Sequence, residues 1–259
     1  MRTVCLILLL ALSIALPASA RTLVRVGAYH FPPYMNKPNS DTASGLVPDL
    51  LALLNQVQRD YHFEWVPTAP SRRYSDFQKR RFDLILFESP KWGWQDTPLH
   101  AIDLQVEDAD LYVARAEPGR DEAYFGELRG KRLALYNGYH YGFADYQADQ
   151  ANLTANFNAR LTYSHDSNLQ MLLRARADIA LVTRSYLELY CERYPERSTA
   201  FLVSSRVDQL YRHYAMLHIQ APIPSQRFAA LMQQVRSSGQ LQPLLKRYHV
   251  AALPSVPAS

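Results

Sequence analysis

The residues best suited to grip a small molecule sit in loops. Trp92 and Trp94 flank Gly93 in the run Glu88-Ser89-Pro90-Lys91-Trp92-Gly93-Trp94-Gln95, a setting that suits neither a helix face nor a strand. Two indoles so placed sandwich a ring or cover a cationic group, or else plug the loop against a core. Tyr29, Phe31 and Tyr34 surround Pro32-Pro33 and offer a flat aromatic wall, or pack on the prolines themselves. Arg73, in Pro70-Ser71-Arg72-Arg73, carries a guanidinium fork that can bind a carboxylate with two parallel bonds. Asn137-Gly138-Tyr139-His140 reads as the opening of a helix, whose free N–H groups favour an anion at Tyr139 and His140. Glu88 suits an amine, and Thr183 with Arg184 would close from the opposite side. On this reading Trp92→Ala and Arg73→Ala weaken binding and spare the fold.

Catalytic patterns are missing. The chain has no Gly-x-Ser-x-Gly, no His-Glu-x-x-His and no glycine-rich phosphate loop, and its eight histidines stand at no zinc-ligand spacing. Cys191, in Tyr190-Cys191-Glu192, reads as an inert helical thiol. The expectation is a binding protein with no catalytic residue, no metal and no cofactor.

The elements that would position these residues recur in two blocks. Thr22 to Ala28 alternates as a strand, and Leu46, Leu50, Leu53, Leu54 and Val57 follow helical spacing. Phe63 and Trp65 mark a second strand, Tyr74 to Arg81 a short helix, and Phe82 to Phe87 a strand apolar enough for burial on both faces. This β-α-β-α-β order requires crossover helices and a parallel sheet. It returns as a strand at Lys131 to Tyr136, a helix at Tyr139 to Gln150, a strand at Arg160 to Tyr163, a helix around Leu169 to Leu173 and a strand at Asp178 to Val182. Arg81-Phe82-Asp83-Leu84-Ile85-Leu86 matches Arg176-Ala177-Asp178-Ile179-Ala180-Leu181. Connecting strands are expected at Leu111 to Ala114 and Tyr214 to Ile219. Helices are expected from Ser225 to Ser238 and, after Gly239, through Tyr248. Ligands of such sheets sit beyond the carboxyl ends of the strands, which selects the loops after Ala28, Phe87, Tyr136 and Val182.

Composition sets the compartment. Arg2, the apolar stretch Val4 to Ala15, Pro17 and Ala18-Ser19-Ala20 read as an export signal with cleavage before Arg21. Cys5 would leave with the signal and Cys191 would remain without a partner. The formal charge of +4, from 28 basic and 24 acidic residues, is too small and too dispersed to argue for nucleic acid. Seventeen tyrosines suit a site that grips small molecules.

Phe31-Pro32-Pro33-Tyr34, Gly45-Leu46-Val47-Pro48-Asp49-Leu50, Phe82-Asp83, Leu128-Arg129-Gly130-Lys131-Arg132 with Asn137-Gly138, Ala177-Asp178-Ile179-Ala180 and Ser238-Gly239 follow one another in a recognisable order. In that order and spacing the chain resembles the family 3 bacterial extracellular solute-binding proteins over about Thr22 to Val250. The resemblance implies a type II periplasmic-binding-protein-like α/β fold, two lobes joined by two hinge strands with a ligand cleft between them. Residues 21–112 and 216–250 would form lobe 1, 113–215 lobe 2, and 251–259 a flexible tail after the signal at 1–20. It also implies a periplasmic monomer that hands a small molecule to an inner-membrane ABC permease, or reports it to a membrane sensor protein. A cyclohexadienyl-dehydratase-like enzyme is the remaining alternative. Relatives that bind amino acids carry an arginine near the position of Gln95 and an aspartate near Thr183. Their absence here argues against an ordinary α-amino acid.

Overall fold

The computed structural model describes residues 20–253; the expected export signal up to Ser19 and the end of the tail lie outside them. The first block forms β1 (Thr22–Ala28), α1 (Leu46–Val57), β2 (Tyr61–Pro67), α2 (Arg73–Gln78) and β3 (Leu84–Glu88). A long strand β4 (Leu99–Arg115) leads to the second block: β5 (Leu133–Tyr136), α3 (Gln150–Phe157), β6 (Ala159–Thr162), α4 (His165–Leu173), β7 (Ile179–Thr183) and α5 (Arg184–Arg193). A second long strand, β8 (Phe201–His218), runs back, followed by α6 (Ser225–Ser237), α7 (Leu241–Arg247) and β9 (Ala251–Ala252).

The strand order is β2-β1-β3-β8-β4-β7-β5-β6. β1 pairs in parallel with β2 and β3, and β5 pairs in parallel with β6 and β7. Between these sets lies the antiparallel ribbon of β4 and β8. β8 pairs with β3 near its end, and β4 pairs with β7 from Asp110 to Val113. The ribbon is therefore shared by both lobes, and each lobe keeps its own parallel sheet and its own helices. α6 and α7 return to pack on α1.

The repeat has a chemical signature. Asp83, just before β3, accepts the backbone N–H of Arg25 at 3.0 Å and the Arg25 guanidinium at 3.0 and 2.8 Å. Asp178, just before β7, accepts the N–H of Arg132 at 2.7 Å and its guanidinium at 3.0 and 2.7 Å. In both lobes a carboxylate at the start of the third strand thus clamps the first strand through the same three donors. A planar fork favours this two-point geometry.

Three expectations are corrected. The segment from Tyr139 to Gln150 is not a helix: it is a loop with one 3-10 turn at Gly142–Ala144, and α3 begins only at its end. Asp145 and Tyr146 take left-handed conformations, with φ of 53° and 60°. The Asp208 carboxylate holds the N–H groups of Gly142 and Phe143 at 2.6 and 2.9 Å, so a long-range contact replaces the local helix. No helix start therefore faces an anion at Tyr139 and His140. The connecting strands, expected to be four and six residues long, extend over all of β4 and β8 because each supplies the other's ladder. The tail begins later than expected: Ala251 and Ala252 pair with Glu107 and Val106.

Candidate functional site

The loop after β1 turns sharply, closed by paired backbone bonds of 2.9 Å between Phe31 and Met35. Its rings stack: Tyr29 and Phe31 lie 5.7 Å apart at 7°. Beyond it, α2 begins at Arg73, which is 2% exposed and therefore has to find its partners inside the protein. It finds Glu88, with Nε 3.2 Å from the carboxylate, and the Pro70 carbonyl. Its guanidinium also lies over the rings of Tyr74 and Tyr29, 4.4 and 5.2 Å from their centroids.

Glu88 reaches Arg73 by way of an irregularity. β3 shifts register against β8 between Ile85 and Glu88, and Phe87 sits at φ 61°, a rare state for a bulky side chain. The Trp94 indole N–H donates to Glu88 at 2.8 Å. Burial raises the Glu88 carboxyl above the usual range, with Arg73 and Trp94 pulling against it.

The facing lobe contributes the loop after β5. Tyr139 stacks on Tyr136 at 4.2 Å and meets the edge of Phe31 at 5.3 Å. Gly138 approaches Pro70 so closely that an added Cβ would stand 2.8 Å from the proline Cβ. His140 joins the lobes, with Nδ1 2.6 Å from the Tyr146 carbonyl and Nε2 2.9 Å from the Tyr74 hydroxyl. Burial first and Arg73 second press its pKa down to about 4, so the ring is neutral at pH 7.

The ribbon supplies the floor. The Trp92 indole N–H donates to Gln209 at 3.3 Å, and Gln209 donates to Asp110 at 2.8 Å. Thr183 donates to Asp110 at 3.4 Å and lies 3.1 Å from His165 Nε2. One residue pair earlier on β4, Asp108 accepts from Tyr34 of one lobe at 2.7 Å and from the Ser185 hydroxyl of the other at 2.5 Å. Burial pushes Asp108 up to about 6 and holds Asp110 well above the usual carboxylate range, with Asp208 adding to the latter.

These groups enclose a cavity of about 10 Å³ lined by Tyr29, Phe31, Arg73, Trp92, Asp110, Gly138, Tyr139, His140 and Tyr211. That is room for roughly one water, so a larger occupant enters only as the lobes and rings part. Six sequence candidates meet there: Tyr29, Phe31, Arg73, Trp92, Tyr139 and His140. Glu88 and Trp94 lie behind Arg73. Tyr34 and Thr183 are buried beneath the wall and bind Asp108 and Asp110, while half-buried Arg184 opens α5 outside the lining. Arg73 is not a free fork awaiting a carboxylate, and removing it would strand a buried acid.

Asp110, Tyr211 and Gly138 were missed as site residues, as were Asp108 and Gln209 beneath them. A signal existed for two of them: Asp108 and Asp110 stand two apart in the otherwise apolar run to Ala114, so both acids project from one face of a buried strand. Among the described residues, no group of three or more His, Cys, Asp or Glu is arranged to hold a metal, and no helix is long and apolar enough to cross a membrane. Cys191 is half-buried on α5, and burial pushes its thiol up.

A substrate-binding protein of an ABC uptake transporter from Streptococcus pneumoniae, solved with bound histidine, superposes with a TM-score of 0.70 at 18% identity, over 87% of this chain and 92% of that one. The fold is that of the two-lobed periplasmic binding proteins. A histidine kinase sensor domain similar to periplasmic binding proteins shares it too, with a TM-score of 0.67 at 19% identity over 90% of this chain and 98% of that one. So does an ancestral amino-acid-binding protein described as a precursor of cyclohexadienyl dehydratase, at 0.65 and 15% identity, over 87% and 95%. No family model and no curated protein matches the sequence.

Proposed function

We propose that this chain is an exported clamp that captures a small molecule between its lobes and catalyses no reaction. One observation carries the reading: the cavity draws its lining from both lobes and from both strands that join them. An occupant touching all four parts has contacts in the closed form that the open form lacks, so binding favours closure. Residues 21–112 and 216–250 form lobe 1 and residues 113–215 lobe 2, with the hinge near the register shifts of β4 around Asp110. Glu88 lies behind the lining and is engaged by Arg73 and Trp94. Asp110, the acid in the lining, has no second acid or base beside it there except His140, whose ring nitrogens are bonded elsewhere, which favours capture over acid catalysis.

The closed clamp is read by a membrane partner. Delivery to an ABC permease is the first reading, and the likeness to a sensor domain favours signalling as the second. A permease and ATPase encoded beside the gene supports the first, and an adjacent signalling protein the second.

The test is a thermal-shift screen of the chain from Arg21 against a broad metabolite set, with small-angle scattering on each hit. A ligand at 100 times its dissociation constant adds about 2.7 kcal/mol and raises the melting temperature. Compaction on binding supports capture. A screen without a hit, together with an unchanging scattering profile, overturns it.

A further inference from the structure

Five aromatic rings and one carboxylate dominate the cavity: Tyr29, Phe31, Trp92, Tyr139 and Tyr211, with Asp110. Both basic groups in the lining are already engaged. Arg73 pairs with Glu88, bonds the Pro70 carbonyl and lies over two tyrosine rings. His140 has both ring nitrogens bonded within the protein. An anionic ligand would meet the negative faces of the rings and a carboxylate, and the one permanent positive charge in the lining, Arg73, is already balanced by Glu88.

A cation meets the opposite situation. Ring faces attract it, and Asp110 has accepting capacity to spare: Oδ2 takes one bond from Gln209 at 2.8 Å and Oδ1 only a long one from Thr183 at 3.4 Å. A second observation points the same way. The Tyr139 hydroxyl is buried and has no hydrogen-bond partner, on a ring that lines the cavity and is 9% exposed. Its oxygen can accept an N–H, and a buried polar atom left unbonded costs free energy that a donor recovers.

We propose that the cleft takes a small organic cation bearing N–H donors, a protonated amine or guanidinium without a carboxylate, held by Asp110 and the surrounding rings. This rests on the capture reading above. Asp108, Asp208, Gln209, Thr183 and the tyrosine rings surround Asp110, and an entering cation favours the charged form of a carboxyl that burial and those acids otherwise disfavour. A carboxylate on the ligand would work against that gain, which disfavours ordinary amino acids on electrostatic grounds.

Calorimetry with tyramine, agmatine and putrescine, set against 3-(4-hydroxyphenyl)propionate, glutarate and glucose, tests the charge class. At least one amine should bind about 100-fold more tightly than any of the other three, a difference one desolvated charge pair can supply. Asp110→Asn keeps the shape and should weaken that amine about tenfold or more. Tyr139→Phe should weaken it roughly three- to tenfold and leave its analogue methylated at every nitrogen within about twofold, because that analogue lacks N–H donors. Tighter binding of an anionic or neutral compound, unchanged affinity in both variants, or no amine bound at millimolar concentration overturns the cation class. Capture itself falls only when no compound of any charge compacts the protein, so the two failures are distinguishable.

Discussion

At the residue scale, Arg73 illustrates how much burial changes a reading. The pattern Pro70-Ser71-Arg72-Arg73 marks an arginine near a cleft, and the structure places it in the lining. What the pattern does not reveal is Glu88, fifteen positions later, which the register shift in β3 brings to within 3.2 Å. Trp94 is likewise legible as an unusual indole but not as a donor to Glu88, because that contact depends on how the loop folds back. Arg73→Ala should therefore lower the free energy of unfolding by about 3–5 kcal/mol, the usual consequence of leaving one partner of a buried pair alone. Combining it with Glu88→Gln should recover part of that loss, since a neutral amide needs no compensating charge and still accepts the Trp94 indole N–H. Urea unfolding of the three proteins measures both steps. A single variant within about 1 kcal/mol of the parent would mean that water or another group already satisfies Glu88.

At the element scale, the parallel strands and their crossover helices were legible because apolar periodicity is a local property. The paired Arg25–Asp83 and Arg132–Asp178 clamps explain why two short segments of sequence look alike: each Asp fixes the same strand-to-strand contact. The long ribbon was not legible. Its polar positions, among them Asp103, Glu107, Gln209 and Arg212, lie outside the strands expected from the sequence, and pairing between β4 and β8 makes them strand. The loop from Asn137 to Asp149 failed for the same reason, since Asp208 on β8 captures its N–H groups. Gly138 is where that loop approaches the other parallel sheet's side, with φ +81° and an added Cβ only 2.8 Å from Pro70, so the closure proposed above would depend on it. A side chain in that backbone state costs about 1–2 kcal/mol whether or not the lobes meet. The contact with Pro70 arises only when they do. Gly138→Ala should thus weaken capture of a ligand about tenfold and shift the scattering profile towards the open form. Affinity equal to that of the parent would show that closure tolerates a wider gap here.

At the scale of the whole molecule, Asp108 ties the two lobes through one carboxylate: Tyr34 reaches it from the first, Ser185 from the second, and His213 lies 2.7 Å from the Tyr34 hydroxyl. Burial pushes this carboxyl up to about 6 from its ordinary 3.8. Below pH about 3 the group is protonated in folded and unfolded chains alike and contributes no pH dependence. As pH rises towards about 6, the unfolded chain releases the proton while the folded one retains it, so this residue's contribution to stability declines by about 3 kcal/mol across that window. Asp108→Asn has no proton to lose. The titrations of His165 and His213 are common to both proteins and largely cancel in the comparison, and loss of the Asp108 charge removes one of the lesser causes that raise Asp110. Relative to the parent, the variant should therefore gain stability as pH climbs from about 4 to 6 and hold that gain above it, whatever constant offset the lost carboxylate bonds impose. Urea titrations at four pH values read this difference directly, and a difference independent of pH would place the Asp108 carboxylate in water instead of in the seam. The same linkage extends to the clamp's motion. If parting the lobes hydrates Asp108, the open form binds the proton less tightly, so closure weakens as pH rises through about 6.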